Sequence, residues 1–308
     1  MSRKLLVVLM VVTLAGLVGA GTAIAKDTYK VGSDIPWAPF EMETTDGKYF
    51  GFDIDTMRAI AVVAGFDLVV EKTAFDSIIM SVKSGLIDLG VSGFTITPER
   101  EAVVDFSNPY YLSQQAIVIR SDSGLNAITA LIGKGPTKAV GAQDGTTGFG
   151  WLEALVSAGV PVEVKGYSTY PLAILDLVNK RIDAVVQDEP ASLASLAAFP
   201  NDIVVAGIIN TNEYFGFLVA DKDPKGILPK INAAMVTLGL KVTEQPGGLQ
   251  ELTITPGSAW DNLYKAYFAS TPEKVTAAFV KYGNLLLNAK TLEDVAAYAS
   301  ALATEATK

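Results

Sequence analysis

The sequence contains no cysteine and no histidine among its 308 residues. Without cysteine the chain cannot form disulfides, zinc–thiolate sites or thiol nucleophiles. Without histidine it lacks the most common general base and the most common metal ligand, so a Ser-His-Asp hydrolase is excluded. An enzyme would have to use carboxylates, lysine or tyrosine. We therefore expect neither a metal nor any other cofactor.

Positive charge is also scarce, because 24 Lys and Arg residues stand against 33 Asp and Glu residues. The formal net charge of −9 disfavours nucleic acid or an anionic membrane surface as a partner. Beyond the N-terminal segment, no stretch has 18 uninterrupted apolar residues. We therefore expect that the mature chain does not itself span a membrane.

The N-terminal segment has the pattern of a signal peptide. A basic "SRK" precedes the apolar run "LLVVLMVVTLAGLVGAG", and "AIA" places small residues before Lys26. This predicts a signal peptide over residues 1–25 and a periplasmic protein; a membrane anchor is the alternative. No cysteine follows the run, so attachment through a lipidated cysteine is excluded.

Strands and helices alternate along the rest of the chain, which favours an α/β fold with parallel strands. The alternation restarts after "AIVIRSDSG", so we predict two α/β lobes with a cleft that captures a ligand by closing. Strands near 115–120 and 214–219 would cross between the lobes. We predict that lobe 1 spans residues 26–118 and 212–270, that lobe 2 spans residues 119–211, and that a C-terminal helical extension spans residues 271–308.

The stretch "SGFTITPERE" follows a predicted buried strand and carries one arginine. Thr97 and Pro98 have the pattern of an N-cap and a first helical residue, which puts Arg100 in the first turn of a helix. The helix dipole disfavours a cation at this position. A cation and the free N–H groups of a helix start both attract an anion, and together with the Thr95 hydroxyl they form a site suited to a carboxylate. The alternative is an ordinary surface pair between Arg100 and an acid such as Glu101.

The second predicted lobe offers a complementary pair of features. The Gly-rich loop "QDGTTGFG" provides backbone N–H groups and the hydroxyl of Thr146 or Thr147, which can contact an anion. Asp188, in "VVQDEP", lies at the carboxyl end of a predicted strand and can accept from an ammonium group. Taken alone, each feature has a simpler explanation, a common Gly-rich turn or a helix cap. Together with Arg100 they match an α-amino acid zwitterion.

A side-chain pocket is suggested by "SDIPWAPF" and "AFDSI". Trp37 lies in a Pro-bounded loop, and Phe75 follows the second strand. Two aromatic rings can enclose a ligand side chain, and a tryptophan can also lie over a cation. Asp34 can accept from an amide or an ammonium group at the end of that side chain. Phe40 and Phe52 are predicted to lie in the core.

At these residues the chain resembles the periplasmic solute-binding proteins of ABC importers for polar amino acids (family 3), in particular the glutamine-binding and lysine/arginine/ornithine-binding branch. The resemblance covers roughly residues 28–240 and is carried by "VGSDIPWAPFEM", "GFDIDTMRAIA", "FDSIIMSVKSGLIDLGVSGFTITPEREAVVDFSNPYY", "QDGTT" and "IDAVVQDEPA". It implies two α/β lobes with two hinge strands, a ligand buried by closure, and delivery to a membrane permease.

The resemblance also implies residue roles. Arg100 would bind the ligand α-carboxylate with help from Thr95 and Thr147, and Asp188 would bind the α-ammonium group near the Gly93 carbonyl. The side-chain subsite would be formed by three further residues: Trp37, Phe75 and Asp34. Asp34 suits both an amide and a cationic ligand, so the choice of amino acid stays open.

Two segments depart from the family pattern. Residues 243–259 lengthen the approach to the helix "NLYKAYFA", and residues 271–308 follow it as two predicted helices. The extension could pad the first lobe or contact another copy of the chain.

Two alternatives to transport stay open. One is a periplasmic cyclohexadienyl or arogenate dehydratase on the same fold, with Glu41 or Glu189 as its acid. The other is a ligand sensor that docks on a membrane receptor and shares the same pocket.

Overall fold

The structure, a computed structural model, describes residues 26–132, 137–246 and 249–308. The predicted signal peptide, residues 1–25, lies outside this part of the chain. The strands are β1 (Thr28–Ser33), β2 (Met42–Glu43), β3 (Tyr49–Phe50), β4 (Asp67–Lys72), β5 (Leu89–Gly90), β6 (Val104–Phe106), β7 (Tyr111–Arg120), β8 (Lys138–Gln143), β9 (Val162–Tyr167), β10 (Ala184–Asp188), β11 (Ile203–Phe215), β12 (Leu218–Ala220), β13 (Leu240–Glu244) and β14 (Gln250–Ile254). The helices are α1 (Phe52–Ala64), α2 (Phe75–Lys83), α3 (Pro98–Glu101), α4 (Thr147–Ser157), α5 (Tyr170–Val178), α6 (Glu189–Ala198), α7 (Leu228–Leu238), α8 (Ala259–Phe268), α9 (Pro272–Leu287) and α10 (Leu292–Ala306). Within these described residues, no helix is both long and apolar enough to cross a membrane.

The strands form two five-stranded sheets, as expected for the predicted two-lobed α/β fold. The first sheet has the order β4-β1-β5-β12-β6, and the second has the order β11-β7-β10-β8-β9. Both are mixed rather than purely parallel. In the first sheet β12 is antiparallel to β5 and β6, and in the second β7 is antiparallel to β10 and β11. The antiparallel members are the strands next to the crossings, where the chain returns from one sheet to the other.

The chain passes between the sheets twice, and the two crossing strands pair with each other. In the antiparallel ladder of β7 and β11, Tyr111 lies opposite Phe215 and Ser113 lies opposite Glu213. The predicted crossing strand near 115–120 belongs to β7, but Gln115–Ile119 pair with β10 inside the second sheet, so the passage between the sheets lies earlier, near residues 107–113. The boundaries predicted at 118 and 211 both fall within these two strands.

The helix termini follow local sequence signals. Thr97 accepts a hydrogen bond from the backbone N–H of Arg100 (3.3 Å), and Pro98 is the first residue of α3, as predicted. Gly65 closes α1 with φ of 80°, a left-handed conformation that favours glycine. These signals fix the C-terminal end of α1 and the N-terminal start of α3, and the start of α3 positions Arg100.

The C-terminal extension forms the two predicted helices, α9 and α10, and they pack on the first lobe. Phe279 of α9 stacks on Phe50 with ring centroids 4.4 Å apart. Tyr298 of α10 is fully buried and donates to the buried carboxylate of Asp55 in α1, which Arg58 also contacts. The extension therefore completes the core of the first lobe. The other departure, residues 243–259, includes the end of β13 and all of β14, which pair as an antiparallel hairpin.

We predict that Tyr298→Phe destabilises the protein by about 1–3 kcal/mol, because it removes a donor from a buried carboxylate. Tyr282→Phe is the control, since Tyr282 is only partly buried in α9. Urea unfolding of both variants measures the difference. Equal unfolding free energies for the two variants would show that the Tyr298 hydroxyl does not stabilise the docked extension.

Candidate functional site

A cleft lies between the two sheets, and all eight residues predicted from the sequence line it. From the first side it is lined by Asp34, Trp37, Phe75, Ser92, Gly93, Thr95 and Arg100, and from the second side by Gln143, Thr146, Thr147, Tyr170 and Asp188. Several of these residues stand at or just beyond the carboxyl ends of β1, β5, β8 and β10. This is the position at which open α/β sheets bind ligands.

Arg100 contacts both sides of the cleft. Its guanidinium donates from Nη1 to the Thr95 carbonyl oxygen (2.8 Å) and from Nη2 to the Gly145 carbonyl oxygen (3.0 Å). It also lies over the rings of Phe75 and Phe94, 5.6 and 5.4 Å from their centroids. Burial lowers the pKa of Arg100, although an arginine remains charged. The alternative considered for Arg100, a surface pair with an acid such as Glu101, is not what the structure shows; the cleft instead contains a largely desolvated cation.

Asp34 is held in the cleft by residues of both sides. Its backbone N–H donates to Ser92 Oγ (3.0 Å), and its Oδ2 accepts from Gln143 Nε2 (2.6 Å) on the opposite side. Gln143 is itself fixed, because Nε2 also donates to the Ser168 carbonyl oxygen (2.9 Å). Burial raises the pKa of Asp34 to about 6, against the hydrogen bond from Gln143, which lowers it. A positively charged group beside Asp34 would therefore be stabilised by the Asp34 carboxylate, and it would in turn stabilise the ionised form of that carboxylate.

Asp188 ends β10 and is 5% exposed. Asp188 is the N-cap residue of α6, but its side chain makes no capping hydrogen bond, so capping does not account for the carboxylate. Instead Oδ1 accepts from Ser113 Oγ (2.8 Å) on the first crossing strand. Burial raises the pKa of Asp188 to about 7, and the negative charge of Glu213 adds to this effect. The carboxylate is thus short of positive partners and suited to accept an ammonium group.

Trp37 forms an aromatic wall of the cleft. Its ring stacks on Phe40 (4.9 Å) and on Tyr170 from the other side (6.2 Å). Gly93 must be glycine here, because a Cβ would lie 2.4 Å from the Trp37 ring and its φ is 54°. Phe40 and Phe52 are buried in the core, which confirms their prediction.

Three lining residues were not among those predicted: Ser92, Gln143 and Tyr170; Thr146 was predicted as an alternative to Thr147. Gln143 could have been found, since it begins the "QDGTT" motif at the end of β8. Glu213 is a less obvious omission. Its Oε2 accepts from the hydroxyls of Thr95 (2.8 Å) and Thr147 (2.5 Å), one from each side of the cleft. No local motif marks it.

The backbone beneath the cleft is held by a buried acid. Asp53 Oδ2 accepts from the Gly93 N–H (2.8 Å) and from the Tyr110 hydroxyl (2.6 Å). Burial and the neighbouring Asp53 raise the pKa of Glu41 well above its usual range. Glu41 is 0% exposed, and Glu189 lines a different groove beside α8. Neither of the acids considered for a dehydratase faces the cleft.

Residues 29–252 match the model of the bacterial extracellular solute-binding proteins, family 3. The arginine-binding periplasmic protein of Mannheimia haemolytica is 32% identical over 221 residues, which cover 70% of this chain and 87% of that protein. An ancestral arginine-binding protein bound to arginine aligns with a TM-score of 0.66 and 32% identity over 79% of this chain and 99% of the other. The ancestral amino acid-binding protein AncCDT-1, described as a precursor of cyclohexadienyl dehydratase, aligns with a TM-score of 0.61 and 29% identity over 83% and 99%.

We predict that the unfolding free energy falls as pH rises from about 4 to about 7, and that Asp188→Asn reduces this fall. The folded pKa of about 7 lies above the unfolded value of about 3.9, so the folded state binds more protons in this range. Asp34 and Asp53 contribute in the same direction, since their folded pKa values are also raised, to about 6.

Urea unfolding without ligand at pH 5 and pH 8 tests this. Asp188→Asn should gain stability relative to the wild type at pH 8, on the order of 3 kcal/mol, and much less at pH 5. Parallel pH profiles for the two proteins would mean that Asp188 carries no such burial penalty.

Proposed function

Because the chain belongs to the bacterial extracellular solute-binding proteins of family 3, we propose that it captures a free L-amino acid in the periplasm and delivers it to an ABC importer. The observation that carries this proposal is the pair of opposite charges in one cleft. Arg100 and Asp188 both line it, each largely removed from water. An α-amino acid zwitterion supplies the partner of each.

The α-carboxylate is assigned to Arg100, and the α-ammonium group to Asp188. A guanidinium has five N–H donors, and the structure uses two of them on backbone carbonyls, so donors remain for a carboxylate. Charged hydrogen bonds contribute about 1.5–3 kcal/mol each. Since a micromolar Kd requires only about 8 kcal/mol in total, this cleft suffices for binding without any reaction.

The ligand side chain is assigned to the region of Trp37, Phe75 and Asp34. The two rings provide apolar contact, and Trp37 can also lie over a cation. Asp34 provides a carboxylate at the far end. A cationic side chain fits this subsite better than an amide, because only a cation compensates the buried negative charge. Relatives named as arginine-binding support L-arginine as the first ligand to test.

We propose binding without turnover. Glu41 and Glu189 do not face the cleft, so neither is placed to protonate a leaving hydroxyl there. The neighbour described as a precursor of a dehydratase is itself named as an amino acid-binding protein.

We predict that Arg100→Ala weakens L-arginine binding at least 100-fold, and that Arg100→Lys restores only part of it. Lysine keeps the charge but lacks the two parallel donors that match a carboxylate. Isothermal titration calorimetry measures the affinities. Arg181→Ala removes an exposed arginine and is the control. Unchanged affinity in Arg100→Ala would remove Arg100 from the site.

We also predict that Asp34→Asn changes ligand preference. L-arginine and L-lysine should lose at least about tenfold in affinity, since their charged end loses its carboxylate, whereas neutral L-citrulline should change little. Asp46→Asn, at an exposed position, is the control. If arginine and citrulline lose equal affinity, another group recognises the side chain.

A further inference from the structure

Glu213 places a carboxylate directly against the hydroxyls of the proposed carboxylate subsite. It lies on β11, where the ladder with β7 shifts register between Ile209 and Glu213, and it is 8% exposed. One oxygen, Oε2, accepts from Thr95 of the first side and from Thr147 of the second. A single protein carboxylate therefore joins the two threonines across the cleft.

A hydroxyl has one hydrogen to donate. While Thr95 and Thr147 donate to Glu213, neither can donate to a ligand carboxylate. The two hydroxyls that the family resemblance assigns to the ligand α-carboxylate, beside Arg100, are thus already used. Burial lowers the pKa of Arg100, and the negative charge of Glu213 is the largest influence that opposes this lowering, so Glu213 acts electrostatically on the same guanidinium.

We infer that Glu213 is a specificity-determining residue that competes with the ligand α-carboxylate for Thr95 and Thr147. This rests on the proposed function, because it concerns the same subsite. A ligand with a carboxylate must displace Glu213 from at least one hydroxyl and must bind near its negative charge. A cation without a carboxylate neither displaces Glu213 from the threonines nor is repelled by its charge. Glu213 therefore weakens the binding of an amino acid but not that of the corresponding decarboxylated amine, so it reduces the difference between their two affinities.

The test compares L-arginine with agmatine, which keeps the ammonium and guanidinium groups and lacks the carboxylate. Calorimetry on the wild type and on Glu213→Gln gives the ratio of the two affinities. The isosteric amide removes the charge, so L-arginine should bind about tenfold more tightly, whereas agmatine should bind equally or more weakly. Glu153→Gln removes the same charge from an exposed position on α4 and should leave the ratio unchanged.

Two results would overturn the inference. Weaker L-arginine binding in Glu213→Gln would mean that Glu213 contacts the ligand favourably. An equal change for both ligands would mean that its role is structural. Glu213→Met, of similar length and without charge, should shift the ratio in the same direction and covers the case in which the amide variant does not fold. If the wild type binds neither ligand, the proposed function fails as well. If the wild type binds L-arginine but Glu213→Gln leaves the ratio of the L-arginine and agmatine affinities unchanged, only the role of Glu213 is contradicted.

Discussion

The antiparallel pairing of β7 with β11 is the constraint on which the site depends. These strands are the two connections between the sheets, and they pair with each other at Ser113 and Glu213. Ser113 holds the Asp188 carboxylate, and Glu213 accepts from threonines on both sides of the cleft. The paired strands β7 and β11, which connect the two lobes, therefore also orient the polar groups of the cleft. Any opening that changes the pairing of these strands also changes the partners of Asp188 and the two threonines.

The cleft contains more buried negative charge than positive. Asp34, Asp188 and Glu213 are each at most 8% exposed, and Arg100 is the cation among the described residues that line the cleft. Buried carboxylates without a cation are costly, as the raised pKa values of Asp34 and Asp188 indicate. A ligand that brings one negative and two positive groups offsets much of this cost. The same argument supports the proposed preference for a cationic amino acid over a neutral one.

Much of the site could be predicted because it follows strand ends. Asp34 and Asp188 stand at or just after the ends of β1 and β10, and the Thr97-Pro98 cap fixes Arg100. The two helices of the C-terminal extension, α9 and α10, were also predicted from the sequence. Glu213 could not be predicted, since its role depends on a register shift and on hydroxyls far away in the sequence. The docking of α10 was equally inaccessible, because it depends on Tyr298 reaching Asp55 across 243 positions.

The central claim is that one cleft holds both charges of an amino acid. The most direct test is a crystal structure of residues 26–308 grown with L-arginine. We expect the α-carboxylate about 3 Å from the Arg100 guanidinium, the α-ammonium group against Asp188 and the ligand guanidinium at Asp34. A ligand bound with its carboxylate turned away from Arg100, or bound outside the cleft, would contradict the account.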